Sequence, residues 1–428
     1  MAVTRNTAWA LGAQLAAAPL QLGAAVLLAR WLGAAPFGQV QAALALVWLA
    51  TLVAQVGHVS ALIFQVRRRS VTPGGAVGQA LWLLSATSAA VLALGWLGAD
   101  VLSAWVQLEP AVLAVLALVL PILVTVQVLG GLARAVDRFG LWAASSLAYP
   151  LVVCLGAAAL LSSPADPVAA LALAGAGYGV AAAVLIGGLL PTTGVALRLK
   201  RAPFIASVRF GLTGYVGVVV AALHERLDLF LLAALAADPV QVGLYAVAVQ
   251  VANRIRMLPL ALGSALYPEL SDITRTDRDA LAVRALRVAV VGVVVAASAI
   301  AVVAGPVVPA LFGAGFAEAL LPLWVLLPAT VAYSAQLVLV RYFQAIDRQR
   351  VNLAAQLGGL AVNVALNTAW IPGWGATGAA AASLVSYALT AVIMLGAFLR
   401  HTGLPVRAVI PGPSDLIAVW RRLRGGAA

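Results

Sequence analysis

Twelve apolar runs, most of them about 20 to 30 residues long and joined by short polar or charged connections, leave this chain little choice but a bundle of membrane-crossing helices. In lipid every backbone N–H and C=O must find a partner within the protein, and a helix of about 20 residues achieves this across a hydrocarbon core of ~30 Å. The runs lie near 7–31, 39–64, 77–98, 110–133, 139–161, 168–190, 207–236, 241–266, 285–311, 319–343, 352–371 and 377–399. Only 9% of the 428 residues are charged while 64% are apolar, and the mean hydropathy is +1.05. A water-soluble domain carries about 25% charged residues, so a soluble enzyme and a disordered chain are both excluded. The first run is too long for a signal peptide and lacks a small-residue cleavage site, so it reads as a retained helix. The single cysteine, Cys154, lies inside an apolar run, which excludes a disulfide framework and a thiolate metal site.

The net charge of +12 would ordinarily point to nucleic acid. Its distribution points to topology instead. With the N-terminus inside, the cytoplasmic segments hold 22 of the 26 Lys and Arg residues, including Arg67, Arg68 and Arg69, Arg134 and Arg138, and Arg348 and Arg350. The outer loops hold none and carry Asp100, Glu109, Asp166, Asp238 and Glu318. Positively charged loops stay in the cytoplasm, so both termini are expected there, with no role for nucleic acid.

Two local patterns recur at nearly one offset. Leu27-Leu28-Ala29 leads through Pro36-Phe37-Gly38-Gln39, and Leu231-Leu232-Ala233 leads through Pro239-Val240-Gln241-Val242-Gly243. Ala135-Val136-Asp137-Arg138 opens the fifth crossing, and Ala345-Ile346-Asp347-Arg348 opens the eleventh. Six crossings return a chain to its starting side, so the halves would be parallel repeats about an axis along the membrane normal. Such halves enclose a midplane site and rock around it, the architecture of a carrier. The expected organisation is a six-helix lobe over 1–200, a second over 201–400, and a cytoplasmic tail over 401–428. That tail contains a short interfacial helix from Ser414 to Leu423, with Arg421, Arg422 and Arg424 beside Trp420 for anionic lipid.

Leu28-Ala29-Arg30-Trp31-Leu32-Gly33 followed by Phe37-Gly38 resembles the end of the first helix in polysaccharide-precursor flippases of the Wzx type, within the MOP (multidrug/oligosaccharidyl-lipid/polysaccharide) exporter superfamily. Asp228 with Val242-Gly243-Leu244-Tyr245-Ala246, the stretch Tyr267-Pro268-Glu269-Leu270-Ser271, and Asn363 to Asn367 running into Ile371-Pro372-Gly373-Trp374-Gly375 fit the same pattern. The resemblance covers about residues 5 to 400. It implies an all-α membrane protein of the MATE-like (MOP) fold, with about twelve transmembrane helices in two pseudo-symmetric lobes. The implied activity is transfer of an undecaprenyl-diphosphate-linked oligosaccharide, an O-antigen-type precursor, from the inner to the outer leaflet of the bacterial cytoplasmic membrane. No cofactor is expected beyond a coupling H+ or Na+. The implied partners are the lipid-linked glycan, membrane lipids, and a polysaccharide polymerase with other assembly-pathway proteins.

A charge at bilayer depth costs about 2.5–3.5 kcal/mol even on lenient insertion scales, so each one calls for a role. The seventh run contains His224-Glu225-Arg226-Leu227-Asp228. At about 100° per residue, His224, Asp228 and Glu225 can share a face while Arg226 points elsewhere. Glu225 and Asp228 are therefore candidates for binding a coupling proton or sodium ion, with His224 beside them. On the eighth run Gln250, Asn253 and Arg254 form a stripe at i, i+3 and i+4, expected to line a polar cavity with Arg254 available to a diphosphate. Arg256 points about 200° away from Arg254 and is expected to reach inner head groups. Arg30, at the outer end of the first run, is a further candidate for phosphate or sugar. His58 is a secondary coupling candidate, expected mainly to serve helix packing. The predicted substrate contacts are thus Arg30, Arg226, Arg254, Gln250 and Asn253.

Three rivals are weighed. A multidrug or cation antiporter of the same superfamily is disfavoured by the buried arginines. A lipid II flippase is disfavoured because no apolar run is present for the two further C-terminal helices of that group. A membrane-embedded enzyme would need an outward catalytic loop, and every outer connection is short; no phosphate cradle, metal-ligand cluster or nucleophile triad is present either.

Overall fold

The structure is a computed structural model that describes residues 2–55, 57–98, 109–196, 201–236, 238–257, 259–260, 263, 266, 270 and 275–412. Among these residues every regular element is helical, and the fold is an all-α, multi-pass bundle of about twelve helices. The expected helix over 414–423, most of the Tyr267–Ser271 stretch, and Asp100 lie outside the described residues.

By contact density the chain divides into a first unit, Met1–Ala222, and a second, Leu223–Ala428. The first contains α1 (Ala2–Leu32), α2 (Ala34–Gln55), α3 (His58–Arg67), α4 (Pro73–Leu97), α5 (Pro110–Ala135), α6 (Phe139–Leu160) and α7 (Pro167–Thr193). Helix α8 (Arg201–Leu235) contains the boundary. The second unit continues with α9 (Val240–Ile255), α10 (Arg275–Phe312), a 3-10 turn (Ala314–Ala319), α11 (Leu320–Ala345) and α12 (Gln349–Thr402).

Local chemistry fixes the helix starts. Pro73, Pro110 and Pro167 stand at first helical positions, where a missing N–H costs nothing. Thr72 Oγ1 accepts from Gly75 N at 3.2 Å and Asp166 Oδ1 from Val168 N at 2.8 Å, each capping a helix. Nine stretches among the described residues are long and apolar enough to cross a membrane. One of them, α12, has 54 residues, far more than a single crossing requires.

Two interruptions shape the bundle. The second apolar run, expected as one helix over 39–64, is broken by Gly57, whose φ of 67° lies in the left-handed region. Tyr215 of α8 donates its hydroxyl to Leu52 O, a carbonyl just before the break. Helix α12 reverses at Gly375, with φ 52° and ψ −130°, and Gln241 Oε1 accepts the next amide, Ala376 N, at 3.0 Å. The reversal falls at the Pro372-Gly373-Trp374-Gly375 turn that separates the last two apolar runs in the sequence.

The repeated Ala-x-Asp-Arg peptides adopt one turn. Asp137 (φ 61°) and Asp347 (φ 56°) are both left-handed. Asp137 N donates to Arg134 O and Arg138 N to Ala133 O, while Asp347 N donates to Gln344 O and Arg348 N to Phe343 O. These are the bonds that close a helix C-terminus of the Schellman type. In the first unit Arg67 forks onto Asp137, with N–O distances of 2.7 and 3.1 Å.

Close helix approach in the first unit depends on residues without bulk. A Cβ at Gly131 of α5 would overlap Val59 of α3. Gly131→Val is therefore expected to destabilise the protein by about 1–3 kcal/mol, the usual cost of overpacking. Thermal inactivation of the purified protein followed by size-exclusion checks this, with Gly12→Val, where nothing lies within 4 Å of an added Cβ, as the neutral control.

The second unit has a core around Tyr342, Phe343 and Phe398, all fully buried. Two further elements join it. Arg287 of α10 donates to Ala408 O at 2.5 Å, and Val409 packs into the same apolar cluster, so the segment after α12 is strapped to the unit.

Candidate functional site

The second unit contains a polar cavity, and its lining follows helical periodicity. Helix α8 contributes Glu225 and Asp228; α9 contributes Tyr245, Val249, Asn253 and Arg256 at steps of three and four; α11 contributes Leu326, Thr330 and Tyr333; the second arm of α12 contributes Ser383 and Tyr387. The space open to the centres of water-sized molecules is about 30 Å3, room for roughly two waters.

Asp228 is 4% exposed and sits among hydroxyls. Tyr245, itself fully buried, donates to Asp228 Oδ2, Ser383 Oγ donates to the same oxygen at 3.0 Å, and Leu229 N donates to Oδ1 at 2.8 Å. The Arg226 guanidinium, two residues before it on α8, acts on Asp228 electrostatically. Glu225, one turn away, is held differently. Arg256 forms an ion pair with Glu225 Oε2 at 3.0 Å, and Tyr333 donates to Oε1 at 2.5 Å. The Arg256 guanidinium lies 3.6 Å from the Tyr333 ring centroid and also donates to Asn253 Oδ1 at 3.0 Å. Stacking over a ring while pairing with a carboxylate is arginine chemistry that lysine does not reproduce.

His224 is buried on the same helix. Its Nδ1 is 2.9 Å from Gln356 Oε1, its backbone carbonyl accepts from Tyr387, and its ring stands edge-on to that tyrosine at 5.0 Å. Nε2 has no hydrogen-bond partner among the described residues. The polar seam continues along α12, where Asn363 Nδ2 donates to Ser386 Oγ at 3.1 Å and Asn367 Nδ2 to Asn363 Oδ1 at 3.0 Å.

The expected residues thus separate into groups. Glu225, Asp228 and Asn253 line the cavity, with His224 behind it. Arg254 and Gln250 lie apart from that lining; Arg254 is half-buried and its guanidinium reaches Gln250 Oε1 at 3.4 Å. Arg226 is exposed. Arg30 is exposed at the end of α1, next to a buried Trp31 whose indole N–H donates to Ser163 O at 3.2 Å. His58 is fully buried at the start of α3, its ring 6.2 Å from Phe204. One expectation is corrected. Arg256 does not extend toward head groups, because Glu225, Asn253 and the Tyr333 face hold it inside the protein. Sequence reasoning named Tyr245 only within the resembling stretch, and passed over Tyr333, Ser383 and Tyr387. Their signal was the recurrence of hydroxyl side chains at helical spacing in otherwise aliphatic runs.

A family model described as "Polysaccharide biosynthesis protein" matches residues 3–274. The chain belongs to this family. No curated protein matches it. Among solved structures it is similar to the lipid II flippase MurJ in an inward closed conformation, with a TM-score of 0.73 at 12% identity, covering 98% of this chain and 93% of that one. It is also similar to an inward-facing multidrug resistance MATE family transporter of the MOP superfamily, with a TM-score of 0.70 at 15% identity, covering 90% and 94%. A MOP superfamily transporter from Pyrococcus furiosus, described as having reversed binding-pocket polarity, gives a TM-score of 0.58 at 14% identity over 91% and 95%. This polysaccharide biosynthesis family protein is a multi-pass membrane protein that shares the fold of those solved transporters.

Proposed function

We propose that the protein is a flippase that moves an undecaprenyl-diphosphate-linked oligosaccharide from the inner to the outer leaflet of the bacterial cytoplasmic membrane by alternating access, coupled to entry of a proton or sodium ion. Family membership supports the glycan, since a polysaccharide-precursor carrier is a membrane-embedded step of such biosynthesis. The observation that supports the coupling is Asp228: a buried carboxylate solvated by two hydroxyls and a backbone N–H inside a polar cavity. A group in that setting is stabilised by any small cation that reaches it. Arg30, Arg226 and Arg254 are the proposed contacts for the diphosphate or acidic sugar, with Gln250 and Asn253 as polar neighbours. A guanidinium suits paired phosphate oxygens. A polymerase and other assembly proteins would take the glycan on the outer side.

The test is flipping of a fluorescent undecaprenyl-diphosphate oligosaccharide in vesicles containing the purified protein. Arg254→Gln is expected to weaken apparent substrate affinity about 10- to 100-fold, the value of a charge-assisted hydrogen bond of ~1.5–3 kcal/mol. Unchanged affinity across Arg254→Gln, Arg30→Gln and Arg226→Gln would remove the arginines from the proposal. Likeness to a lipid II flippase and to a drug transporter supplies the competing cargoes. Robust transport of lipid II or of lipophilic cations in the same vesicles, without glycan flipping, would replace the reading.

A further inference from the structure

His224 ties helix α8 to both arms of α12. A carbonyl oxygen can only accept, so the 2.9 Å contact between His224 Nδ1 and Gln356 Oε1 makes Nδ1 the donor and leaves the lone pair of the neutral ring on Nε2. Gln356 stands on the first arm. From the second arm Tyr387, which lines the cavity, donates to the His224 backbone carbonyl at 3.3 Å and meets the imidazole edge to face. The fit on the remaining side is tight. A Cβ at Gly359 would overlap Thr390 Oγ1 and come within 2.6 Å of His224 Cε1 and 3.3 Å of Nε2, so the ring can sit there only because residue 359 has no side chain. His224 is 1% exposed, and Nε2 has no hydrogen-bond partner among the described residues. Leaving one buried ring nitrogen unsatisfied costs stability, which points to a purpose for the bond that the other nitrogen makes.

We infer that His224 is a positioning residue: its Nδ1–H bond to Gln356, together with the Tyr387 bond to its carbonyl, fixes the rotation of α8 so that Glu225 and Asp228 face the cavity, and the imidazole itself carries no coupling proton. Glu225 is the next residue and Asp228 lies one turn on, about 100° and 40° around the helix from His224, so a rotation of α8 at this point swings both carboxylates. Asp228 tolerates little of that, because it meets Tyr245 of α9 and Ser383 of α12 at once. Glu225 is equally committed, to Arg256 of α9 and Tyr333 of α11. The inference rests on the ion-coupled reading of the cavity, but its own content is which nitrogen of His224 matters and what that nitrogen holds.

Two amide substitutions separate the ring nitrogens. The side-chain nitrogen of asparagine is bonded to Cγ, as Nδ1 is, whereas that of glutamine sits one bond further out, as Nε2 does. The full-length protein would be placed in vesicles, and flipping of the fluorescent undecaprenyl-diphosphate oligosaccharide followed as the outer sodium or proton concentration is varied. The concentration needed for half-maximal flipping is expected to rise about 10-fold in His224→Gln, the worth of one buried hydrogen bond, and to stay within about twofold of the unmodified protein in His224→Asn. Apparent affinity for the glycan should be unchanged in both, a split that a general loosening of the fold would not produce. A His224→Asn shift as large as that of His224→Gln overturns the inference, and so does a His224→Gln protein with no shift. The second measurement reads the ring directly. The chain has three histidines, so nitrogen-15 histidine labelling in lipid nanodiscs gives few ring signals, and the one missing from His224→Asn belongs to His224. At neutral pH it should show a proton on Nδ1 and a bare Nε2. A proton on Nε2 with a bare Nδ1, or on both, overturns the inference even if His224→Gln fails to fold. The ion-coupled reading fails separately, when the unmodified protein flips the glycan equally fast with and without sodium and proton gradients; the proton position on His224 is read in either case.

Discussion

Replacing Asp228 by asparagine is expected to leave a folded protein in which gradient-driven flipping falls about 100-fold, toward the upper end of the coupling energies by which one ligand drives another. The amide has nearly the shape of the carboxylate, and the Tyr245 and Ser383 hydroxyls still have an oxygen to meet. What disappears is the negative charge that makes a cation at this position favourable. Slow downhill movement of substrate should persist, because the proposed arginine contacts are untouched, so the loss should appear as insensitivity to imposed proton or sodium gradients rather than as loss of binding. Glu225→Gln acts by another route, since it strands the Arg256 guanidinium that it now neutralises. Flipping driven in vesicles by a pH step or a sodium step measures the difference. An Asp228→Asn protein that still responds to both gradients would end the assignment.

The second large effect is on stability. Gly375→Ala is expected to cost about 1–3 kcal/mol through the backbone alone, because φ 52° with ψ −130° is a region that a side chain makes unfavourable. It also drives a Cβ into the Gln241 side chain, whose carbonyl holds Ala376 N and so secures the reversal of α12. A loss of this size shifts thermal midpoints by about 2–12 °C in a unit of ~200 residues. Two comparisons separate the contributions. Gly373→Ala, with nothing within 4 Å of the new Cβ, should be neutral, and adding Gln241→Ala to Gly375→Ala should relieve the collision but not the backbone strain. Equal midpoints for Gly375→Ala and Gly373→Ala would contradict the argument.

The fold was legible because lipid leaves so few solutions: apolar runs of crossing length must be helices, and arginines must lie inside. The turn at Pro372 to Gly375 could be read for the same reason, from chemistry local in sequence. The break at Gly57 could not, because a glycine in a membrane helix serves close packing as often as a hinge. The candidate site was half legible. Glu225, Asp228 and His224 stood out as ionisable groups where ionisation is costly, and the angular argument placed them on one face. Arg256 was misread because it points about 200° away from Arg254, off the polar stripe of its helix, which suited head groups equally well. Only the three-dimensional meeting of α8 with Tyr333 on α11 reveals that it belongs to Glu225. The hydroxyl partners were illegible one at a time, since tyrosine and serine in membrane helices usually bond their own backbone or the interface.

The strap formed by Arg287, Ala408 and Val409 bears on how this protein can be handled. An affinity tag or fluorescent fusion joined beyond residue 412 leaves that seat occupied, whereas a deletion cut at Gly403 strips it and bares the aliphatic side chains beneath. Reporter fusions belong on the longer version.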